Sequence, residues 1–215
     1  MEGDERMFSP FLGKEYQDVE IEHELENYKS KLNSVKSDDV FYYIATEIAD
    51  GKIIGWFQER SECGPRSLGN RSILADPRRS DMKDFINKQV KFREPFRPFA
   101  PAVLWEKQKE YFDLEIPSPY MLMVANVLKE KKDIIPAVTH VDGTARLQTV
   151  LEELSPRFYK LIQSFEKLTG VPVVLNTSFN IRGEPIVEEP KDAIECFLKT
   201  NIDILCLGDY IIKKK

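Results

Sequence analysis

The chain has 215 residues, of which 42% are hydrophobic, 31% charged and 11% aromatic. This composition excludes an intrinsically disordered chain and favours one large folded domain, or a domain with an appendage. No apolar run reaches the ~18–20 residues that cross a bilayer, so we expect no membrane partner. The first residues are acidic, which does not fit a secretion signal, and the three cysteines form no CxxC pair. We therefore expect a cytoplasmic protein without disulfides.

Charge is distributed unevenly along the chain. The net charge is -5, but residues 60–97 carry ten basic and five acidic side chains, a surplus of five that leaves -10 for the rest. A basic region on an acidic protein suits a small anion such as a phosphorylated metabolite better than a long polyanion, so nucleic acid is the weaker partner. The alternative is that these cations lie on a solvated face and pair with acids from elsewhere.

The N-terminal residues 1–39 are acidic and poor in aromatic side chains, and we expect a linker with one exposed helix outside the core. Asp18 is the expected cap of this helix. Four apolar residues at helical spacing form one stripe along it, namely Ile21, Leu25, Tyr28 and Leu32. The folded domain is expected to occupy residues 40–215.

From residue 38 onward, helices and strands follow each other without strict βαβ alternation. Helices are predicted at 38–49, from Ser80 through Ile86, from the cap Ser155 to Gly170, and at 190–199. Strands are predicted at 52–57, 100–104, 120–127, 171–175 and around 204–212. This order predicts an α/β (α+β) fold, a mixed twisted sheet with flanking helices.

The segment CGPRSLGNRS, residues 63–72, follows a predicted strand and combines two glycines with Arg66 and Arg71. Glycine lets backbone amides approach an anion, and arginine adds paired, permanently charged hydrogen bonds to phosphate or carboxylate oxygens. The segment matches neither the Walker nor the dinucleotide fingerprint. A turn with surface arginines is the alternative.

The segment KFREPFRPFAP, residues 91–101, places Lys91, Arg93 and Arg97 among aromatic side chains and prolines. Spacing two puts Lys91 and Arg93 on one face of a strand, and the prolines exclude a helix. A cluster of like charges held in place is costly unless an anion joins it, which favours anion binding over a purely structural role.

The segment NTSFN follows the predicted buried strand, so Asn176, Ser178 and Asn180 emerge at a strand end, where open sheets commonly place their sites. Ser178 and Asn180 share a face at spacing two and can donate hydrogen bonds to phosphate or carbonyl oxygens. A capping or turn cluster is the alternative.

The segment THVDGTARLQTV places His140, Thr144 and Arg146 around a glycine. The other histidine, His23, is far away in sequence, so we expect no histidine-rich metal site. No cysteine has a base at a recognisable spacing, so we expect no thiol nucleophile.

Together, GPRSLGNRSILADPR, KFREPFRPFAP, THVDGTARLQTV and VVLNTSFNIRGEPIVEEPKDAIECF resemble the C-terminal domain of the O-carbamoyltransferases. This family includes nodulation-factor, cephalosporin and tobramycin carbamoyltransferases. The resemblance runs from about Phe8 to the C-terminus, and it implies a YrdC-like fold with a large cationic cavity. It also implies that SPFLGKEYQDVEIEHEL is an interdomain linker, and that the chain is an expressed fragment, the product of a split gene or a degenerate copy.

The resemblance also assigns residues to a site. In the wider superfamily a KxR pair and an SxN pair hold the nucleotide and carbonyl substrates, and Lys91-Phe92-Arg93 and Ser178-Phe179-Asn180 match them. The expected catalytic residues are Lys91, Arg93, Ser178 and Asn180. The expected ligands of ATP or carbamoyl phosphate are Arg66, Arg71, Lys91, Arg93, Arg97, Thr144, Arg146, Asn176 and Ser178. The chain departs from the family's usual phenylalanine, glycine and alanine at Cys63, Glu59 and Ser67.

The activity implied is that of a carbamoyltransferase domain that uses ATP with Mg²⁺ and carbamoyl phosphate to form carbamoyladenylate. An actin-like ATPase-fold domain or subunit, which carries the family's metal ion, then transfers the carbamoyl group to an acceptor hydroxyl. Two alternatives stay open, a nucleotide-binding or docking module without turnover and, against the acidic balance of the chain, an RNA-binding module.

Overall fold

A computed structural model describes residues 8–92, 94 and 98–215. The helices are α1 (Asp18–Asn27), α2 (Val40–Ala49), α3 (Met82–Ile86), α4 (Gln108–Tyr111), α5 (Pro156–Thr169) and α6 (Pro190–Lys199). The strands are β1 (Leu32–Lys36), β2 (Ile54–Phe57), β3 (Arg71–Ala75), β4 (Ala100–Leu104), β5 (Val124–Asn126), β6 (Thr144–Arg146), β7 (Gln148–Val150), β8 (Val173–Ser178), β9 (Ile204–Leu207) and β10 (Tyr210–Lys214). In these ranges, no helix combines the length and the apolar character needed to cross a membrane.

Eight strands form one mixed sheet in the order β1-β10-β9-β2-β3-β8-β4-β7, and β5 pairs with β6 in a separate ribbon. The pairs β2–β9 and β4–β7 are parallel, and the other neighbours in the large sheet are antiparallel. The predicted mixed sheet with flanking helices is therefore confirmed.

Helix α5 and strand β8 show why the core forms where it does. Pro156 at the first helical position and Gly170 at the C-cap, with φ of +74°, delimit the helix. Four of its apolar side chains recur at spacings of three and four residues and are fully buried, namely Phe158, Leu161, Ile162 and Phe165. The helix packs on α2 and on the sheet, and the first four residues of β8 are buried, as expected for a strand covered on both faces.

The N-terminal segment contributes to the core, so the expectation that residues 1–39 lie outside it was wrong. Ile21 and Leu25 on α1 are only 3% and 7% exposed. The helix begins after Gln17 rather than at an Asp18 cap, and the Gln17 N–H donates to the Glu20 carboxylate at 2.9 Å. Leu32 lies in β1 instead of the helix, because pairing with β10 outweighs the local spacing.

Three other predicted elements differ from the structure. The last strand divides into β9 and β10 at a turn in which Gly208 has a φ of +55°. The strand predicted at 120–127 is limited to β5, and the expected Ser80 cap is replaced by Asp81 as the residue before α3. The pairs Tyr210–Leu207 and Ile211–Cys206 show that β9 and β10 form a hairpin, which replaces the single predicted strand.

Candidate functional site

Four adjacent strands bring the four predicted segments to one end of the sheet. Strand β8 runs antiparallel to both β3 and β4, with Ser178 opposite Ser72 and Asn176 opposite Ala100. Strand β7 runs parallel to β4. The segments that precede β3, β4 and β7 therefore leave the sheet at the same end as the polar residues that finish β8.

The Lys91 ammonium lies in a cluster with Ser178, the last residue of β8, and Asn180, two residues further on. It donates to Ser178 Oγ at 3.2 Å, to Asn180 Oδ1 at 2.8 Å and to the Asn180 carbonyl at 3.0 Å, and also to the Ser178 carbonyl. Ser178 Oγ donates to Asn180 Oδ1 at 2.7 Å. Lys91 is only 3% exposed, and these neutral oxygens hold its ammonium in place.

The strand expected around Lys91 is not formed. Lys91 ends a π-helical turn, Asn87–Lys91, that continues α3, and Phe92 then adopts a left-handed φ of +48°. The first proline of the segment stands at position 95, too far along to prevent a helical turn that ends at residue 91. Arg93 and Arg97 lie outside the described residues.

The loop of residues 62–71, called the GPR loop below, closes around one of its own acids. Glu62 Oε1 accepts the backbone N–H groups of Leu68 at 2.7 Å, Asn70 at 2.8 Å and Arg71 at 3.2 Å. Arg66 lies exposed between the two ends of the loop. The amides expected to approach a substrate anion therefore already hold an internal carboxylate.

Arg71 is fully buried, in contrast to the exposed Arg66 of the same loop. Its guanidinium lies 3.5 Å from the centre of the Phe57 ring. Its Nη atoms donate to four backbone carbonyls, those of Lys14, Gln58, Glu59 and Asn70. Burial lowers the pKa of Arg71 to about 10. These contacts give Arg71 a structural role. Its role as a substrate ligand stays a prediction.

Arg146, at the end of β6, lies half-buried near Arg66. Burial is the main cause that lowers the pKa of Arg146, and the positive charge of Arg66 lowers it further. Its Nε is buried and has no hydrogen-bond partner among the described residues. Two arginines that repel each other, one of them with a buried Nε that lacks a partner among the described residues, suit an anion, and their role as substrate ligands stays a prediction.

Thr144 takes part in a tight turn with two neighbours. Asp142 Oδ1 accepts the Thr144 N–H at 2.9 Å and its hydroxyl at 2.7 Å, and Thr144 Oγ1 lies 3.1 Å from His140 Nδ1. Since the hydroxyl proton is directed at the carboxylate, the hydroxyl oxygen is left to accept from an Nδ1–H. Burial lowers the pKa of His140 more than Asp142 raises it, which favours the neutral ring.

Asn176 lies inside the sheet, with 1% exposure. Its Nδ2 donates to the Ser67 carbonyl at 3.2 Å and to Gln148 Oε1 at 2.8 Å, and Gln148 Nε2 donates to the Leu68 carbonyl at 2.6 Å. This amide network ties the GPR loop to β7 and β8. Sequence reasoning missed Gln148 and Glu62. The spacing of two that relates Thr144, Arg146 and Gln148 could have indicated Gln148.

Residues 8–14 lie across the GPR loop. The Cys63 N–H donates to the Pro10 carbonyl at 2.8 Å, and the Gly13 N–H donates to the Ser61 carbonyl at 3.0 Å. A Cβ on Gly13 would lie 1.8 Å from Ser61 Oγ, so a larger residue here would displace the Ser61 hydroxyl from its hydrogen bond to Glu188 Oε1. Phe11 packs on a small apolar cluster that includes Leu68. The N-terminal segment therefore supports the loop from outside.

A cavity of about 430 Å³ lies between the GPR loop and Asn180, one of the residues bound to Lys91. Its lining includes the acids Glu62 and Glu188 and the cation Arg71, whereas Lys91 and Arg66 are not among the described residues that line it. The volume falls within the roughly 300–1,000 Å³ of small-molecule sites.

A second cavity, of about 450 Å³, lies beside α1. Acids are prominent in its lining, among them Glu15, Asp18 and Glu59, and its Arg157 pairs with Asp209. This second space is therefore poorly suited to an anion, although it is slightly larger.

Some of the basic side chains of residues 60–97 are paired locally. Arg78 pairs with Asp76 at 2.6 Å, and Arg79 pairs with Asp81 at 2.7 Å. Both acids lie within residues 60–97, so these pairs leave the surplus of five unchanged, and Arg60, 3.9 Å from Glu15, is a cation that meets an acid from elsewhere. In the described part of the chain, no group of three or more histidine, cysteine or acidic side chains is arranged to hold a metal ion.

Comparison with known proteins gives one family and one fold. Residues 45–214 match the family model described as Carbamoyltransferase C-terminus. The chain is 49% identical over 211 residues to nodulation protein NolNO of Sinorhizobium fredii, which covers 97% of this chain and 31% of that protein. The chain spans about a third of the length of the curated relatives it matches.

Two solved structures share the fold. One is full-length HypF in its phosphate- and nucleotide-bound form, with a TM-score of 0.55, 20% identity, and coverage of 82% of this chain and 22% of that one. The other is P. abyssi Sua5 complexed with L-threonine, with a TM-score of 0.57, 19% identity, and coverage of 79% and 46%. At these identities the likeness shows the fold alone, which is YrdC-like, as expected from the sequence.

Proposed function

Because the chain belongs to the carbamoyltransferase family, with residues 45–214 matching the C-terminal part of its members, we propose that it binds ATP and carbamoyl phosphate and forms carbamoyladenylate. The observation that carries this proposal is the cluster of Lys91, Ser178 and Asn180 at the same end of the sheet as Arg66 and Arg146. Asn180 of this cluster and the GPR loop line one cavity, whose volume is large enough for a small-molecule substrate.

The reaction proceeds in two balanced steps. Water cleaves carbamoyl phosphate into carbamate and inorganic phosphate. A carbamate oxygen then attacks the α-phosphorus of ATP, the bond from that phosphorus to the bridging oxygen breaks, and pyrophosphate leaves with the electron pair. The two steps require no nucleophile from the protein.

The cations stabilise charge that develops in the second step. Negative charge builds on the nonbridging oxygens and on the departing pyrophosphate, and groups already held in place stabilise it without reorganising. Lys91 is such a group, since Ser178 and Asn180 hold its ammonium. Arg66 and Arg146, which repel each other in the free protein, bind the phosphate oxygens.

Other components come from outside the described residues. ATP enters as its Mg²⁺ complex, with the ion held by the phosphates, because the described part of the chain offers no acidic cluster for it. The carbamoyl group passes to an actin-like ATPase-fold domain or subunit, which holds the family's metal ion and the acceptor hydroxyl.

A nucleotide-binding module without turnover is the second candidate. It is favoured by the internal bonding of three expected ligands, Arg71, Thr144 and Asn176, which leaves fewer groups to act on the reacting atoms. Such a module would bind ATP in the same cavity but release no pyrophosphate.

Calorimetric titration with ATP, with and without carbamoyl phosphate, together with a pyrophosphate-release assay, tests the proposal. Pyrophosphate release that depends on carbamoyl phosphate supports it, and binding without release supports the second candidate. Lys91→Met keeps the side-chain stem and removes the charge, so release should fall by about 10² to 10³. Lys88→Ala, at an exposed position of the same turn, is the control and should leave the rate unchanged. Near-normal release in Lys91→Met would contradict the proposal.

A further inference from the structure

Glu62 has no role in the reaction as proposed, yet it organises the loop that carries Arg66. One of its carboxylate oxygens receives three backbone N–H groups from residues 68–71. A set of converging amides of this kind is a common phosphate-binding arrangement, and here the loop's own acid occupies it. The loop is thereby closed by hydrogen bonds to an ionised group, which are about twice as strong as neutral ones.

The composition of the loop explains why it needs such a closure. Gly64 and Gly69 have φ values of +117° and +115°, and glycine loses more conformational freedom on ordering than any other residue. Arg66 lies in the exposed part of the loop, between Glu62 and the buried Ser67. The bonds to Glu62 therefore restrict where this cation can lie.

We propose that Glu62 is a positioning residue, which holds the closed GPR loop so that Arg66 is kept in place to bind a phosphate group together with Arg146. This inference rests on the proposed function, since it assumes that the two arginines meet the substrate's phosphates. Glu62 acts through the loop and does not itself touch the substrate.

The sign of one measurement separates positioning from direct electrostatics. A carboxylate next to an anion site repels the anion, so its removal alone would tighten binding. If Glu62 instead holds Arg66 in place, Glu62→Ala weakens the binding of pyrophosphate and of ATP by about tenfold or more, despite the loss of negative charge. Glu62→Gln keeps an oxygen acceptor for the amides and should restore most of the affinity.

A double-mutant cycle tests whether Glu62 acts through Arg66. The dissociation constant of pyrophosphate is measured by calorimetry for Glu62→Ala, Arg66→Ala and the double variant. Positioning predicts that Glu62→Ala has little further effect once Arg66 is absent, whereas independent effects would add. Glu15→Ala, which removes an exposed carboxylate 3.9 Å from Arg60, is the control for a simple loss of surface charge.

Hydrogen exchange gives a readout that needs no ligand. In Glu62→Ala the amides of Leu68, Asn70 and Arg71 should exchange faster while those of β8 stay protected, which shows that the loop has opened and the fold has not. Unchanged exchange at these amides, or tighter pyrophosphate binding in Glu62→Ala, would overturn the inference.

If the wild-type chain binds neither pyrophosphate nor ATP, the proposed function fails and the inference falls with it. If the wild type binds and Glu62→Ala binds equally well, only the role of Glu62 is lost.

Discussion

At the scale of single residues, Arg66 and Arg71 show that burial rather than residue type decides what a cation does. Both belong to the GPR loop, and the sequence predicts both as phosphate ligands. Arg66 is exposed, while Arg71 lies in the interior, stacked on Phe57 and bonded to backbone carbonyls. A guanidinium that satisfies several carbonyls at once acts as an internal support of the loop.

Replacing Arg71 should destabilise the fold. Arg71→Met fills part of the space but removes four hydrogen bonds to backbone carbonyls, two of them buried, so the free energy of unfolding should fall by about 2–4 kcal/mol. Urea denaturation measures this change. Arg66→Met is the matched control and should change the free energy of unfolding by no more than about 0.5 kcal/mol. Normal stability of Arg71→Met combined with weakened ATP binding would instead support the ligand role expected from the sequence.

The residues of the site were predictable to different degrees. Lys91, Ser178 and Asn180 were expected from spacing and from the family resemblance, and the structure brings them together. Their binding roles stay predictions. Glu62 and Gln148 were missed because their hydrogen bonds depend on how the loop folds back, and the bond from Gln148 to the Leu68 carbonyl spans 80 residues of sequence.

At the scale of elements, helices with local start and stop signals match their predicted bounds, whereas strands depend on their neighbours. Helix α6 covers the predicted range 190–199, and α5 ends at the predicted glycine. The existence of β1 depends on a pairing partner far away in sequence, whereas β9 and β10 pair with each other across the turn at Gly208. The spacing of apolar residues in Asn87–Lys91 does not predict the π-helical turn that this segment forms.

Two glycines of the GPR loop allow the packing of this loop on α5 to be tested. Gly64 and Gly69 have nearly the same φ, but a Cβ at position 64 would meet nothing within 4 Å, whereas a Cβ at position 69 would lie 2.2 Å from the Phe158 ring. Gly64→Ala should therefore cost only the backbone strain, about 1 kcal/mol. Gly69→Ala should cost a further 1–3 kcal/mol, roughly, for the overlap with α5.

Thermal or urea unfolding of the two variants measures the difference. Equal stability of Gly64→Ala and Gly69→Ala would mean that the loop does not pack on α5 as described.

At the scale of the whole molecule, the large sheet includes a strand from the N-terminal segment. Strand β1 pairs along its five residues with β10, and α1 adds Ile21 and Leu25 to the main core. The segment expected to be a linker thus supplies β1, the edge strand of the sheet beside β10. The division of the chain at residue 40 stays a prediction, and it can be tested by truncation.

A chain of residues 40–215 should be much less stable than the full chain. Removing α1 and β1 exposes the core surface that they cover and leaves the edge of β10 unpaired, so the free energy of unfolding should fall by about 3 kcal/mol or more. A chain of residues 16–215 retains both elements and serves as the control. Denaturation curves and light scattering would show the loss of stability and any association of the open edge. Equal stability of the two chains would mean that residues 40–215 form an independent domain.

The path of residues 8–14 has a mechanical consequence. Their backbone is hydrogen-bonded to residues 61 and 63, at the start of the GPR loop, before the chain reaches α1. A pulling force applied to the chain ahead of residue 8 therefore loads these bonds before it loads the sheet. Because the loop carries Arg66, we expect tension on the N-terminal side to displace this arginine while the sheet stays intact.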